Sequence, residues 1–297
     1  MSRLLSIVPG VFLAWLVLGR LASAEEPPKE PEQAPELDWS AGYAEAVEVA
    51  QREAKMVLIW FQKPGGCRLC DQFRRETLTD PEVVEKLKDF VKVKLPLDAA
   101  IQNENGEIVL LEHATFAEML GRPGLAIVDF AHKDAPYYGF VVSTFPVMNE
   151  RLYTPREMSV ILDLPPGTLT QRTLIYAVRT HPDGPASTQG KLDPILIKEA
   201  SLHSGHQARI RQQGHHNWGI RFHRINAKLP PGVSASEVCA ESWPGEHLLE
   251  AAIECVRCWR FSSGHWGAVR ARHPVYGYDM KRGSNGIWYA TGIFGRS

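Results

Sequence analysis

The 297-residue chain is longer than one ordinary hydrophobic core fills and fits two domains of usual size. Its 44% apolar and 23% charged residues are those of folded globular protein, which excludes a disordered chain and a polytopic membrane protein. A formal net charge of -1 supplies no overall field for polyanions, so no nucleic-acid partner is expected.

In chain order, Met1 to Arg3 is a short basic head, Leu4 to Gly19 is largely apolar, and Leu21 to Ala24 ends in small residues. This is the pattern of a signal peptide over residues 1–24, with cleavage expected after Ala24. Pro9 and Arg20 leave less than the roughly 20 apolar residues of a membrane span, so membrane attachment is expected only for an uncleaved signal. The expected location is periplasmic or secreted. Glu25 to Glu36 is rich in Pro and Glu and reads as a disordered tether over residues 25–36. Export places the five cysteines, Cys67, Cys70, Cys239, Cys255 and Cys258, where disulfides persist; their odd number leaves one thiol over or shared with another chain.

The first domain is expected over residues 37–182. Ser40 can cap a helix whose face is Tyr43, Val47, Ala50 and Ala54. Met56 to Phe61 is a continuous apolar run, the pattern of a strand buried on both faces. After the turn Lys63 to Gly66, Cys67 and Cys70 open a helix toward Thr77, and Asp80-Pro81 starts another with Val84, Leu87 and Phe90 inward. Val91 to Leu95 alternates as a strand. Beyond a polar insertion around Asn103 to Gly106, a short helix is expected at Thr115 to Leu120, strands at Leu125 to Phe130 and Tyr137 to Val142, and a helix at Leu169 to Val178. Such alternation predicts a covered, partly parallel sheet whose last two strands pair antiparallel.

A strand delivering the chain to Cys-x-x-Cys at a helix N-terminus, with Arg122-Pro123 before a later strand, resembles the thioredoxin superfamily. The resemblance implies an α/β fold in which Pro123 faces the cysteine pair. Gly66 replaces that family's usual Trp before the first Cys, and Gly124 its usual Thr after the proline. The helix dipole and Arg68 favour a Cys67 thiolate that attacks, with Cys70 resolving the mixed disulfide. A permanent Cys67–Cys70 disulfide in a redox-inactive scaffold is the other reading.

His181 to Gly190, dense in Pro, Gly and small polar residues, gives an expected linker at residues 183–191. The second domain is expected over residues 192–297. Asp193-Pro194 caps a helix to about Gln213 with Ile197, Ala200, Ser204, Gln207 and Ala208 on one stripe, ended by Gly214. A short helix precedes Leu229, Pro230 to Gly232 turns the chain, and a helix after Pro244-Gly245 carries Leu248, Ala252, Cys255 and Trp259 inward to the Ser262 to His265 turn. Tyr276 to Asp279 and Ile287 to Phe294 have strand character around a turn at Gly283 to Gly286.

Glu237 to Ala240, the helix ending in Trp259, Ser262 to His265 and the closing Ile287 to Gly295 segment resemble, in order and spacing, the CAP superfamily of cysteine-rich secretory, antigen 5 and pathogenesis-related proteins. The resemblance implies an α+β fold, an α-β-α sandwich with an open cleft, where His265, Glu237 and either His215 or His216 meet. The second glutamate of that family has no counterpart here. Such a set suits Zn²⁺ with one position left for water, or general-base work, or a polar cluster satisfying its own hydrogen bonds. No cofactor is required, and Zn is the metal the set fits. His203, His206, His223 and His273 carry no motif and are expected to face solvent. For Cys239 a bridge to Cys255 or Cys258 is expected, with a three-cysteine metal site or buried thiols as alternatives.

Two functions follow: an exported thiol-disulfide oxidoreductase acting on envelope or secreted protein thiols and disulfides, or a binding protein taking a small ligand in the cleft with the first domain as scaffold. Metal-assisted hydrolysis at His265 and Glu237 lacks a nucleophile.

Overall fold

The computed structural model describes residues 37–63, 68–103, 106–148 and 151–296, with Asn103 described in its backbone alone. The expected signal peptide and tether, residues 1–36, and Cys67 lie outside the described residues.

Helix α1 (Tyr43–Glu53) leads into β1 (Met56–Gln62), whose residues 57–61 are all buried, as a continuous apolar run requires when both faces are covered. The chain returns in α2 (Arg68–Gln72), which runs into a π-helical turn at Phe73–Thr77. Helix α3 (Pro81–Leu87) starts where Asp80 accepts the amides of Glu82 and Val83 and Pro81 pre-sets the first turn. Strand β2 (Phe90–Pro96) follows, then the hairpin of β3 (Ala100–Asn103) and β4 (Gly106–Val109). Strands β5 (Gly124–Val128) and β6 (Val141–Pro146), helix α4 (Pro155–Leu162) and helix α5 (Leu169–Thr180) complete this half. The sheet order is β2-β1-β5-β6, with β1 and β2 parallel and the other neighbours antiparallel. One sheet face packs α1 and the 3-10 turns around Phe116 and Met119; the other packs α3, α4 and α5.

The second half begins with the two-residue β7 (Lys191–Leu192) and α6 (Pro194–Ile210), followed by α7 (Trp218–Asn226) and β8 (Ser234–Glu241). Helices α8 (Leu248–Arg260) and α9 (Ser263–Arg270) precede the hairpin of β9 (Val275–Arg282) and β10 (Trp288–Arg296). Its sheet runs β7-β9-β10-β8, with β8 at one edge. Helices α6 and α7 cover one face, α5 and α8 the other, and α9 lies along β8.

Several expectations shift. Ser40 bridges to Val93 instead of capping α1, whose N-cap is Gly42. Val83 rather than Val84 is the buried partner of Leu87 on α3. The turn at 114–119 is 3-10 and ends because Leu120 and Gly121 are left-handed. The strand expected at Tyr137 to Val142 is displaced to β6, because Tyr137 to Phe140 form turns. The expected linker is packed: Ser187 is buried and hydrogen-bonds Tyr278 Oη at 2.7 Å, and the amides of Ala186 and Ser187 donate to Arg270 and Val269. Small side chains, read as flexibility, are what the close approach needs. A Cβ on Gly190 would sit 2.0 Å from the His273 carbonyl oxygen. Accordingly the described residues from 37 onward form one compact unit.

Candidate functional site

Two groups of side chains carry chemistry. The first lies where β1 hands over to α2. Cys70, half-buried on α2, and Pro123, ahead of β5, line one groove of about 500 Å³ together with Trp60, Lys63, Arg122 and Leu152. Pro123 is fixed from behind, since its carbonyl accepts the amide of Val147 at 2.8 Å. Gly124 stands beside it with φ +148, and an added Cβ would fall 2.3 Å from the Phe145 carbonyl oxygen. The backbone thus excludes a side chain where a Thr was the expected residue. Trp60 underlies the groove and packs edge-on to Phe73, with ring centroids 5.3 Å apart. Cys67 is not among the described residues, so only Cys70 and Pro123 of that expected set have positions here.

The second lies at the β8 edge. Alternation along β8 turns Val238 and Ala240 toward α8 and places Glu237 and Cys239 on the α6–α7 side, where their partners on β10 are Ile293 and Thr291. Glu237 Oε1 lies 3.0 Å from His215 Nδ1 and 3.6 Å from His203 Nε2, while its Oε2 accepts from Arg221. His215 Nε2 in turn faces His265 Nε2 at 3.2 Å. Burial pushes the Glu237 carboxyl up, but hydrogen bonds from His215 and Arg221 outweigh it and hold the group below its ordinary value. An ionised carboxylate can only accept, so His215 Nδ1 carries the proton, and in the neutral ring Nε2 offers a lone pair toward His265. Burial, and then His215, lower the pKa of His265.

His215, Glu237 and His265 therefore come together, although 22 and 50 residues separate His215 from its two partners. His216 does not join them. It points the other way, toward the Gln212 carbonyl at 3.3 Å and the His206 ring at 5.5 Å.

His203 and His273, expected in solvent, are both buried. His203 donates to the Gly214 carbonyl at 2.9 Å, and burial brings its pKa down to about 4. His273 bonds the Ala268 carbonyl at 2.7 Å and stacks on Phe294. The missed signal for His203 is spacing: it continues the Leu196, Ala200, Gln207 stripe that α6 turns inward.

The expected bridge from Cys239 is also corrected. Cys239, Cys255 and Cys258 are all thiols. Cys255 sits in the core beneath α8, on the opposite face of the sheet from Cys239, and Cys258 Sγ contacts Glu254 Oε1 at 3.5 Å. Burial drives the Cys239 and Cys255 thiols well above their ordinary pKa. No helix among the described residues is long and apolar enough to cross a membrane.

No curated protein matches the chain. Among solved structures, an outer surface protein from Borrelia burgdorferi is similar at 20% identity and TM-score 0.29, over 36% of this chain and 77% of that one. A DsbH oxidoreductase is similar at 21% identity and TM-score 0.23, over 39% and 83%. The family model described as thioredoxin-like matches residues 38–129, the span from just ahead of α1 to just past the end of β5. A mixed α/β sheet of order β2-β1-β5-β6, with Cys70 and Pro123 across one groove, lies in and around that span, and residues 38–129 are a thioredoxin-like domain.

Proposed function

We propose that this protein is exported and performs thiol-disulfide exchange at Cys67 and Cys70. The observation that carries this reading is the groove: Cys70 reaches solvent beside Pro123 rather than being sealed under the insertion at Ala99 to Leu111, of which no described residue lines it. The Cys67 thiolate attacks a substrate disulfide, and one substrate sulfur leaves as thiolate. Cys70 then attacks the Cys67 sulfur, releasing the second substrate thiol and leaving a Cys67–Cys70 disulfide. Envelope or secreted proteins supply the disulfides and thiols. In the test, Cys70→Ser is incubated with oxidised glutathione. Accumulation of a glutathione mixed disulfide on Cys67, resolved in the native chain to a Cys67–Cys70 disulfide, is expected. A pair that neither traps nor equilibrates with glutathione buffers is scaffold.

A second reading concerns the C-terminal half as a CAP-like domain whose cleft holds a divalent metal or a small ligand. The supporting observation is the 3.2 Å approach of two imidazole Nε2 atoms, with Glu237 behind His215. That separation suits two nitrogens sharing one ion at about 2.0–2.1 Å, and the carboxylate on the far nitrogen is the usual orienting partner of a ligating imidazole. His215 and His265 would be the ligands and Glu237 the group that fixes the His215 tautomer. A Zn²⁺ held there supplies Lewis acidity to a bound water. Zinc calorimetry should lose one equivalent in His265→Ala, and affinity should fall as pH drops through about 6.5, where free imidazole protonates. Unchanged binding in His265→Ala removes the cleft as a metal site.

A further inference from the structure

Behind the His215–His265 pair lies a second donor set. His203, Glu237 and Cys239 each offer one ligand atom, and the three atoms lie within 4.8 Å of one another. They come from α6 and from alternate positions of β8, so the element packing converges them without a shared loop. The side chains of His203 and Glu237 are 1% exposed and Cys239 is 2% exposed, so the set is dry rather than a chance surface cluster. It is also a different place from the outer pair: His215 turns Nδ1 toward Glu237 and Cys239 (3.0 and 3.7 Å) and Nε2 toward His265. One ion cannot engage both nitrogens of one ring.

We propose that His203, Glu237 and Cys239 form an inner site for a thiophilic divalent cation of the Zn²⁺ class. Three donors of type N, O and S match that ion, and a thiolate biases the site away from Mg²⁺ and Ca²⁺, which take oxygen ligands. The separation fits a tetrahedral centre: His203 Nε2 to Glu237 Oε1 is 3.6 Å, while His215 keeps its Nδ1 proton on Glu237 and stays outside the ligand set. Charge balances as well. A Cys239 thiolate and the Glu237 carboxylate neutralise a dication; Arg221 occupies Oε2, and Oε1 keeps a second lone pair for the metal beside the one that accepts from His215 Nδ1. On loading, the metal–sulfur bond replaces the Cys239 S–H bond and the proton leaves to solvent. His203 shifts its ring proton from Nε2 to Nδ1 and gives up the Gly214 carbonyl.

The test uses the full chain carrying Cys67→Ser, Cys70→Ser and His265→Ala, which removes the redox pair and the outer site. It is loaded with one equivalent of Zn²⁺ and examined by zinc-edge X-ray absorption. One sulfur at about 2.3 Å together with nitrogen and oxygen at about 2.0–2.2 Å is expected, with the sulfur shell lost on adding Cys239→Ser. No bound zinc, a shell of nitrogen and oxygen alone, or sulfur that persists without Cys239 overturns the proposal. Should Cys239→Ser fail to fold, cadmium-113 NMR on the otherwise native chain decides: coupling to the Cys239 β-protons supports the inner site, and coupling to another cysteine alone, or to none, overturns it. The outer pair is judged separately, by the zinc equivalent that His265→Ala removes from the native chain.

Discussion

At Gly124 the main chain holds φ +148, a region that side chains strongly disfavour, and it does so where the start of β5 presses on the Phe145 carbonyl. Both penalties act on one residue, so Gly124→Ala should cost about 1–3 kcal/mol for the backbone alone, and more for the contact. Urea unfolding should show the midpoint fall, and a neutral substitution would mean the loop after Pro123 relaxes freely. The sequence marks this residue as a departure from a Thr but carries no sign of the cause, which is the neighbouring strand rather than anything local. The histidine–glutamate cluster divides in the same way. His265 and Glu237 were singled out because each sits in a run that resembles a CAP motif, and His215 and His216 could not be separated, because adjacent positions ahead of a helix point in opposite directions and only the fold decides which. His203 was hidden by being polar: a histidine on a helix stripe is easily assigned to solvent, although its spacing puts it inside.

Elements were legible where periodicity or caps marked them and obscure where the signal was short. Asp80-Pro81 and Asp193-Pro194 announce α3 and α6, and both aspartates accept two amides as an N-cap should. Helix α4 went unread although Thr154 and Glu157 form a complete capping box over an apolar run. The cysteines show what element geometry adds. A bridge between Cys239 and Cys255 satisfies sequence arithmetic, but the period of two along β8 sends Cys239 to the α6 face while Cys255 of α8 lies beneath the other. No rotamer change carries a sulfur through a sheet. Alkylation of the unfolded chain without reductant, followed by peptide mass analysis, should therefore label Cys239, Cys255 and Cys258 completely. A disulfide-linked peptide containing Cys239 would contradict the register of β8.

At the scale of the whole molecule, the two sheets share α5. Residues 172–178 of this helix are buried without a break, so it has no solvent face to spare. Arg172 reaches Ser143 and the carbonyls of Leu164 and Pro165 on one side, and Tyr176 packs on Phe145 with centroids 4.7 Å apart. On the other side Thr170 Oγ1 and Gln171 Nε2 donate to the buried Asp279 of β9 at 2.6 and 3.3 Å. Glu118 crosses in the same sense, accepting the Leu248 amide at the start of α8 at 2.9 Å. The core is accordingly continuous from Leu58 and Trp60 to Trp259 and Tyr278. Composition alone divided the chain at residues 183–191, because loss of apolar period looks the same in a mobile linker and in a packed one. The physical consequence is coupled unfolding. Asp279→Ala removes the acceptor of Thr170, Gln171 and Lys281; because Lys281 is 37% exposed, the cost is that of the lost buried hydrogen bonds, about 1–3 kcal/mol. Native-state hydrogen exchange should then show β1 and β10 amides losing protection by the same free energy, since neither sheet keeps its core once α5 is released. Loss confined to β10 would mean that the first sheet holds α5 by itself and that the two halves open independently.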